Sequence, residues 1–207
     1  VCYEMNMDIE KSLAYKAAEF IDIEGIIGML KGSGNKYSGV LELKYRELNA
    51  LMKPGVESYN AYKEVFKTNL PGMGWGAKFN SFIIVSSICI ISRQHDVKFF
   101  NTELYELNKF KVDENSYAFS EELYTYLPLY VSLLSSFINN RDTEYLDKLV
   151  ENFGSRIDPA HKESFISYTF MQKMFLEKRF DDALRYHSMV NYDHSLIRIN
   201  AKILLIQ

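Results

Sequence analysis

Cysteine is scarce: the 207 residues carry two, Cys2 and Cys89, in widely separated segments. Two thiols so placed do not frame a disulfide-bonded fold; they suit a reducing compartment, and a cytoplasmic location is expected. A basic excess is also missing. Twenty-four Lys and Arg against 27 Asp and Glu give a net charge of −3, with no run of five basic residues. Phosphate binding needs a basic face, so nucleic acid is not an expected partner. No apolar run is long enough for a bilayer. The longest, "FIIVSSICII" at Phe82–Ile91, is about half of the roughly 20 residues a membrane span needs. It reads as a buried helix, and membrane insertion is not expected. Strand patterning is absent too, with no period-2 alternation bounded by hairpin turns. All-α is the expected class.

Motifs that carry chemistry are equally sparse. Gly72, Gly74 and Gly76 precede Lys78 in "NLPGMGWGAKF", which superficially suggests a phosphate-cradling loop. That loop requires a preceding strand and a Ser or Thr after the lysine; here a helix precedes and Phe79 follows. The four histidines, His95, His161, His187 and His194, show no HExxH or Cys-pair spacing, so no metal site is expected. Cys89 sits in apolar sequence and reads as a small hydrophobe, and His95 lies well over one helical turn away, too far to activate it. Asp181-Asp182 and Glu121-Glu122 read as acids in first helical turns rather than as an acid–base pair. No catalytic residue, cofactor-binding residue or metal ligand is predicted.

What the chain does have is helical periodicity and aromatic bulk. Hydrophobic residues make up 47%, and 15 Tyr with 14 Phe supply large fillers for the space between helices. The clearest stretch is Pro159–Gln207. Asp158-Pro159 is a helix start, since Asp can cap the first turn and Pro at the first position loses no hydrogen bond. Phe165, Ile166, Thr169, Phe170, Met174 and Phe175 spread over a broad apolar face. Glu177-Lys178-Arg179 breaks the helix. Phe180, Ala183, Leu184, His187 and Val190 then stripe a second helix. After Asn191-Tyr192-Asp193, a third helix carries Leu196, Ile199, Ile203 and Ile206.

Upstream, residues 1–31 read as helix, with Leu13, Ala17, Phe20 and Ile21 on one face and Gly25 and Gly28 weakening its end. Gly32–Lys36 is a break. A strong helix follows, its inner side drawn at Leu41, Tyr45, Leu48 and Leu51 or Met52, stopped before Pro54. Another spans about Val56–Lys67. Asn69–Gly76 is irregular, with Trp75 as an anchor. Phe79–Arg93 is the expected central buried helix. Val97, Phe100, Leu104 and Leu107 form the next stripe, and Val112–Ser120 a polar connector. Tyr124–Asn139 starts properly near Pro128. The last helix before the Pro159 stretch buries Leu146, Leu149, Val150 and Phe153 and stops at Gly154.

"RQHDVKFFNTELYEL", "NNRDTEYLDKLVENF" and "LEKRFDDALRYHSMV" share one order: apolar helix, charged turn with Asp near the next start, narrower amphipathic helix. Two such short helices cannot bury both faces alone and need stacked neighbours. "EKRFDDALRYHSMV" resembles the centre of a tetratricopeptide (TPR) repeat. Phe180 stands at that family's aromatic position and Ala183 at its small close-packing position. Ser167, Phe170 and Met171 stand where the family's first helix has Trp, Leu and Gly, and the terminal Pro is missing, so the match is TPR-like. Through "FFNTELYELNKFKVDENSY", "FINNRDTEYLDKLVENF" and "FLEKRFDDALRYHSMVNYDHSLIRINAKILL", residues 79–207 are also similar to long TPR-like proteins of Bacteroidetes-type bacteria, a group offering no catalytic residues to carry over.

The expected architecture is therefore one α-helical repeat domain over 1–207. It has less regular helices over 1–69, a loop at 70–77 and TPR-like hairpins over 78–207 stacked as an α-solenoid. Start at Val1 and the unpunctuated "AKILLIQ" end read as cuts in a longer array. The resemblance implies a non-enzymatic interaction or scaffold module holding a protein or peptide on a concave face, with Arg185 and Tyr186 as contact candidates. The alternative is the helical sensor or regulatory part of a larger protein whose effector lies outside this chain. An all-α enzyme is the third reading. Ile203, Leu204, Leu205 and Ile206 would favour self-association through the C-terminal helix.

Overall fold

The computed structural model describes residues 23–32, 38–193 and 195–198, and among them the chain is helices, turns and loops without a strand. The helices are α1 (Ile23–Gly32), α2 (Ser38–Met52), α3 (Val56–Asn69), α4 (Trp75–Ser92), α5 (Val97–Asp113), α6 (Leu127–Asn139), α7 (Thr143–Asn152), α8 (Pro159–Leu176) and α9 (Phe180–His187), with 3-10 turns at Leu70–Gly72 and Gly154–Arg156. Two compact units divide the chain, one ending at Leu104 and the other beginning at Tyr105, inside α5. The expected all-α class holds. Leu13, Ala17, Phe20, Ile21, Cys2, His194 and Ile199 to Ile206 lie outside the described residues.

In the first unit α2 packs on α1, α3 and α4, and α3 on α4. Its core is aromatic: Tyr59, Tyr62, Phe66, Phe82 and Phe100 are fully buried. Rings meet edge to face, Phe66 on Phe82 at 5.2 Å and Tyr59 on Phe100 at 5.3 Å. Burying one such ring contributes roughly 1.5–3 kcal/mol, and edge-to-face geometry adds about 0.5–1.5. α4 starts at Trp75, not Phe79, because Gly74 in an extended conformation lets the helix begin there. Residues 70–77 are thus a 3-10 turn and a helix start rather than a loop. Among the described residues α4 alone is long and apolar enough, by length and composition, to cross a membrane. It buries Phe79, Phe82, Val85, Ile88 and Cys89 and exposes Ile83 and Ile90.

Some stripes differ from the reading of the sequence. α2 turns Leu43 and Ala50 inward and leaves Leu41 exposed, since the helices around it fix which face is covered. Val97 opens α5 on the exposed side while Phe100 and Leu107 are buried.

In the second unit α6 packs on α7 and α8, α7 on α8, and α8 on α9. Leu133, Leu134, Phe137, Leu146, Leu149, Phe153, Phe165 and Tyr130 fill the space between them. Tyr130 shares a 2.8 Å hydrogen bond with Thr169 across α6 and α8, and Lys173 on α8 donates to both Asp147 oxygens on α7 at 2.7 and 2.6 Å.

The turns explain why the helices stop where they do. Asn115, Arg141 and Lys178 are the described non-glycine residues with left-handed backbone, φ 54°, 54° and 61°. Each sits just past a helix end. The following N–H reaches back across the last turn: Ser116 to Lys111 O at 3.1 Å, Asp142 to Phe137 O at 2.9 Å, Arg179 to Met174 O at 2.8 Å. This is the Schellman cap, which satisfies carbonyls the helix leaves open. Asp caps then open the next helix. Asp96 accepts from Phe99 N at 2.9 Å, Asp142 from Tyr145 N at 3.1 Å and Asp158 from Ala160 N at 2.9 Å. α7 ends at Phe153 in right-handed backbone and Gly154 starts a 3-10 turn, so Gly154 is not the expected helical stop.

The segment after α5 is no solvated connector. α5 runs to Asp113 with Val112 buried, and Tyr117 and Ala118 are core residues. Tyr117 meets Phe153 edge to face at 6.0 Å, and Thr125 binds back through its N–H to Arg156 O at 2.9 Å and its hydroxyl to Phe153 O at 2.8 Å. Glu121 and Glu122 lie in the turn before α6, not in a first helical turn.

Candidate functional site

The residues singled out for chemistry do not converge. Cys89 is fully buried, its thiol donates to Phe100 O at 3.2 Å, and burial followed by the Glu103 charge pushes it up to about 12. A thiol held neutral is not a nucleophile at neutral pH. His95 is exposed in the turn after α4, its Nε2 3.4 Å from the Gln94 side-chain nitrogen. His187 is exposed, its ring 5.1 Å from Tyr192. Among the described residues no three His, Cys, Asp or Glu side chains gather as metal ligands do. Asp182 accepts from Arg179 at 3.0 and 2.6 Å, so it serves the turn and not an acid–base pair.

Two polar networks sit at helix junctions. In the first unit Glu103 accepts from Tyr59 at 3.0 Å and from Lys63, tying α5 to α3, and burial with the Glu103 charge raises the Tyr59 phenol. In the second, Asp142 accepts from the Tyr105 hydroxyl while capping α7, and Tyr145 donates to Asp113 at 2.8 Å. Lys109 lies 5.2 Å from both the Tyr105 and Tyr145 ring centres. Every partner in these networks is a neighbour in the same fold, and both read as staples.

Among the described residues, an arrangement that can receive something from outside is a groove between α8 and α9. It encloses about 430 Å³ and is lined by Pro159, Lys162, Glu163, Ile166, Ser167, Phe170, Tyr186 and Met189. α8 supplies one wall through residues three and four apart, 159, 162, 163, 166, 167 and 170, which is one helical face. α9 and the residues after it supply the other. Phe170 and Tyr186 meet across it in a tilted pair, centroids 5.4 Å apart and planes at 31°. Tyr186, a contact candidate from sequence, lines this groove. Arg185 does not; it is exposed, lies 5.2 Å over the Tyr186 ring and pairs with Asp182 at 3.5 Å.

The α9 stripe is only half what its spacing suggests. Ala183 and Val190 are buried, but Phe180 is 54% and Leu184 67% exposed, and Phe175 opposite them is exposed with its ring 5.7 Å from Phe180. Beyond α9, Ile197 is buried and Leu196 only partly so, the reverse of the expected register. Sequence reasoning missed Lys162, Glu163 and Met189. Ser167 carried a signal: it is a hydroxyl set within the apolar face of α8.

No protein-family model, curated protein or solved structure matches the chain.

Proposed function

We propose that this chain is a protein-interaction module, a TPR-like stack of helical hairpins that binds a partner segment and performs no chemistry of its own. The α8–α9 groove carries the reading. It is concave, apolar and walled by both helices of one hairpin, with a tilted aromatic pair among its lining residues. Grooves of this kind hold peptide segments by burying their apolar anchors. Repetition supports the array: α6–α7 and α8–α9 turn through the same left-handed cap, and α8 packs on both α6 and α7. Nearest-neighbour stacking of like hairpins is how helical repeats build a continuous core. Phe175, Phe180 and Leu184 add apolar surface on the same hairpin.

Capture of partners from native lysate with the full chain tests this, with Met189→Asp run beside the wild type and both quantified by mass spectrometry. One or two stoichiometric partners that survive moderate salt and fall at least tenfold with the variant are expected. Partners indifferent to the variant, or none from a folded monomer, would sink the reading.

A further inference from the structure

We infer that the outward face of α4 is a self-association surface, on which a second copy of this chain packs antiparallel about a two-fold axis at Ser87. This face shares no residue with the α8–α9 groove.

α4 is 18 residues long, which makes it about 27 Å from end to end. One side of it is buried in the first unit through Phe79, Phe82, Val85, Ile88 and Cys89. The residues it exposes are Ala77, Asn80, Ile83, Ser87 and Ile90, and none is charged. Ile83 is 44% and Ile90 54% exposed, with Ile84 and Ile91 half-buried beside them. At about 100° per residue, the stretch from Asn80 to Ile91 places Asn80, the four isoleucines and Ser87 within about 60° of one line along the helix. Arg93 keeps right-handed helical backbone past the last turn, which holds Gln94 near the same line. Lys78, the charged residue of α4, falls on the opposite side.

The symmetry of this line names the occupant. A two-fold axis through Ser87 brings each residue opposite the one equally far on the other side of it. Ile83 then meets Ile91, Ile84 meets Ile90, and Asn80 meets Gln94. Each pairing joins like with like, aliphatic on aliphatic near the axis and amide on amide at both ends. An isologous interface needs this self-complementarity, in which one residue meets a second and the second meets the first. No like charges face each other across the axis, although each chain carries a net charge of −3.

The polar groups on the line fit the same partner. Ser87 is small and stands where the two helices approach most closely. Its hydroxyl donates to Ile83 O at 2.9 Å, so it enters a dry contact already satisfied. Asn80 makes no side-chain hydrogen bond among the described residues, and the Gln94 amide has only a 3.4 Å approach to His95. Two such amides exchange donor and acceptor, and an isolated polar position in an apolar seam fixes its register. A lipid surface would leave the Asn80 amide without that partner. One helix pair covers less than the roughly 800 Å² per copy of a standard interface, so the dimer is weak, with a dissociation constant on the order of 100 μM.

Sedimentation equilibrium of the full chain from about 5 to 500 μM tests this, with Ile90→Glu beside the wild type. The expected result is a monomer–dimer equilibrium that the variant weakens at least tenfold without lowering the melting temperature. Disulfide trapping in a Cys2→Ser background, with copper-phenanthroline as oxidant, reads the register. Ser87→Cys should link two copies at least tenfold faster than Asn101→Cys, an exposed position on α5, because position 87 lies on the axis and meets itself. A monomer at every concentration, a dimer indifferent to Ile90→Glu, or equal linking rates at 87 and 101 would overturn the inference. Co-flotation with phosphatidylcholine vesicles that Ile90→Glu abolishes would overturn it as well, and would assign the face to lipid. Should Ile90→Glu fail to fold, the two linking rates decide.

Discussion

Phe170 and Tyr186 meet as a tilted pair, centroids 5.4 Å apart, from opposite walls of one groove, α8 supplying the first ring and α9 the second. Neither ring is fully covered, so the pair is worth less to the fold than to anything that packs on it. Tyr186→Ala should lower partner affinity at least tenfold, a change of about 1.4 kcal/mol in binding, while shifting stability by only about 1 kcal/mol. Titration calorimetry against the captured partner and thermal melts measure the two separately.

Arg141 and Lys178 hold left-handed backbone that costs an L-residue about 1 kcal/mol or more and glycine little. Both are exposed. Arg141→Gly and Lys178→Gly should each raise the melting temperature by several degrees, in spite of removing a side chain. A fall in either melt would show that the side chain contributes more than the cap.

Lys111 is buried and desolvation pushes its ammonium down to about 8, against an ordinary value of 10.5. Below pH 8 both states carry the proton and the folded state bears the cost of burying it. Between about pH 8 and 10 the folded state has released the proton and the unfolded chain has not, so stability rises with pH, by up to about 1.4 kcal/mol per pH unit. Above pH 10 the trend reverses, because burial holds the Tyr59 and Tyr130 phenols protonated in the fold while the unfolded chain ionises them. Urea melts from pH 7 to 10.5 should show a maximum in that range. Lys111→Met should flatten the rise and stabilise the chain at pH 7.

Cys89 should resist thiol reagents. In a Cys2→Ser variant, where it is the remaining thiol, labelling in native buffer should be slower than in denaturant by orders of magnitude, since the thiol is both buried and neutral. Rapid native labelling would reopen a nucleophilic role.

The location of the helices was legible in the sequence because their boundaries are local. Asp96, Asp142 and Asp158 announce helix starts through bonds spanning two or three residues, and each makes that bond here. Which face of a helix is buried was less legible. Leu41 and Leu43 are equally apolar, and only the helices packed on α2 decide that Leu43 goes in. Phe180 and Leu184 read as core for the same reason and are exposed. The segment from Val112 to Ser120 misled because five of its nine residues are polar or charged, yet Val112, Tyr117 and Ala118 are buried and Tyr117 packs on Phe153. Of the groove, Phe170 was visible on the apolar face of the Pro159 helix and Tyr186 as a contact candidate on the helix that follows. Ser167 was named only as a departure from the TPR pattern.

The most direct measurement of the central claim is site-specific photocrosslinking with p-benzoylphenylalanine at Met189, on the groove, and at Glu144, exposed on α7. One dominant protein adduct from position 189 that is absent from position 144 is the expected result. The same adducts from both positions, or none from position 189 in a folded chain, would contradict the groove as the place where this protein meets its partner.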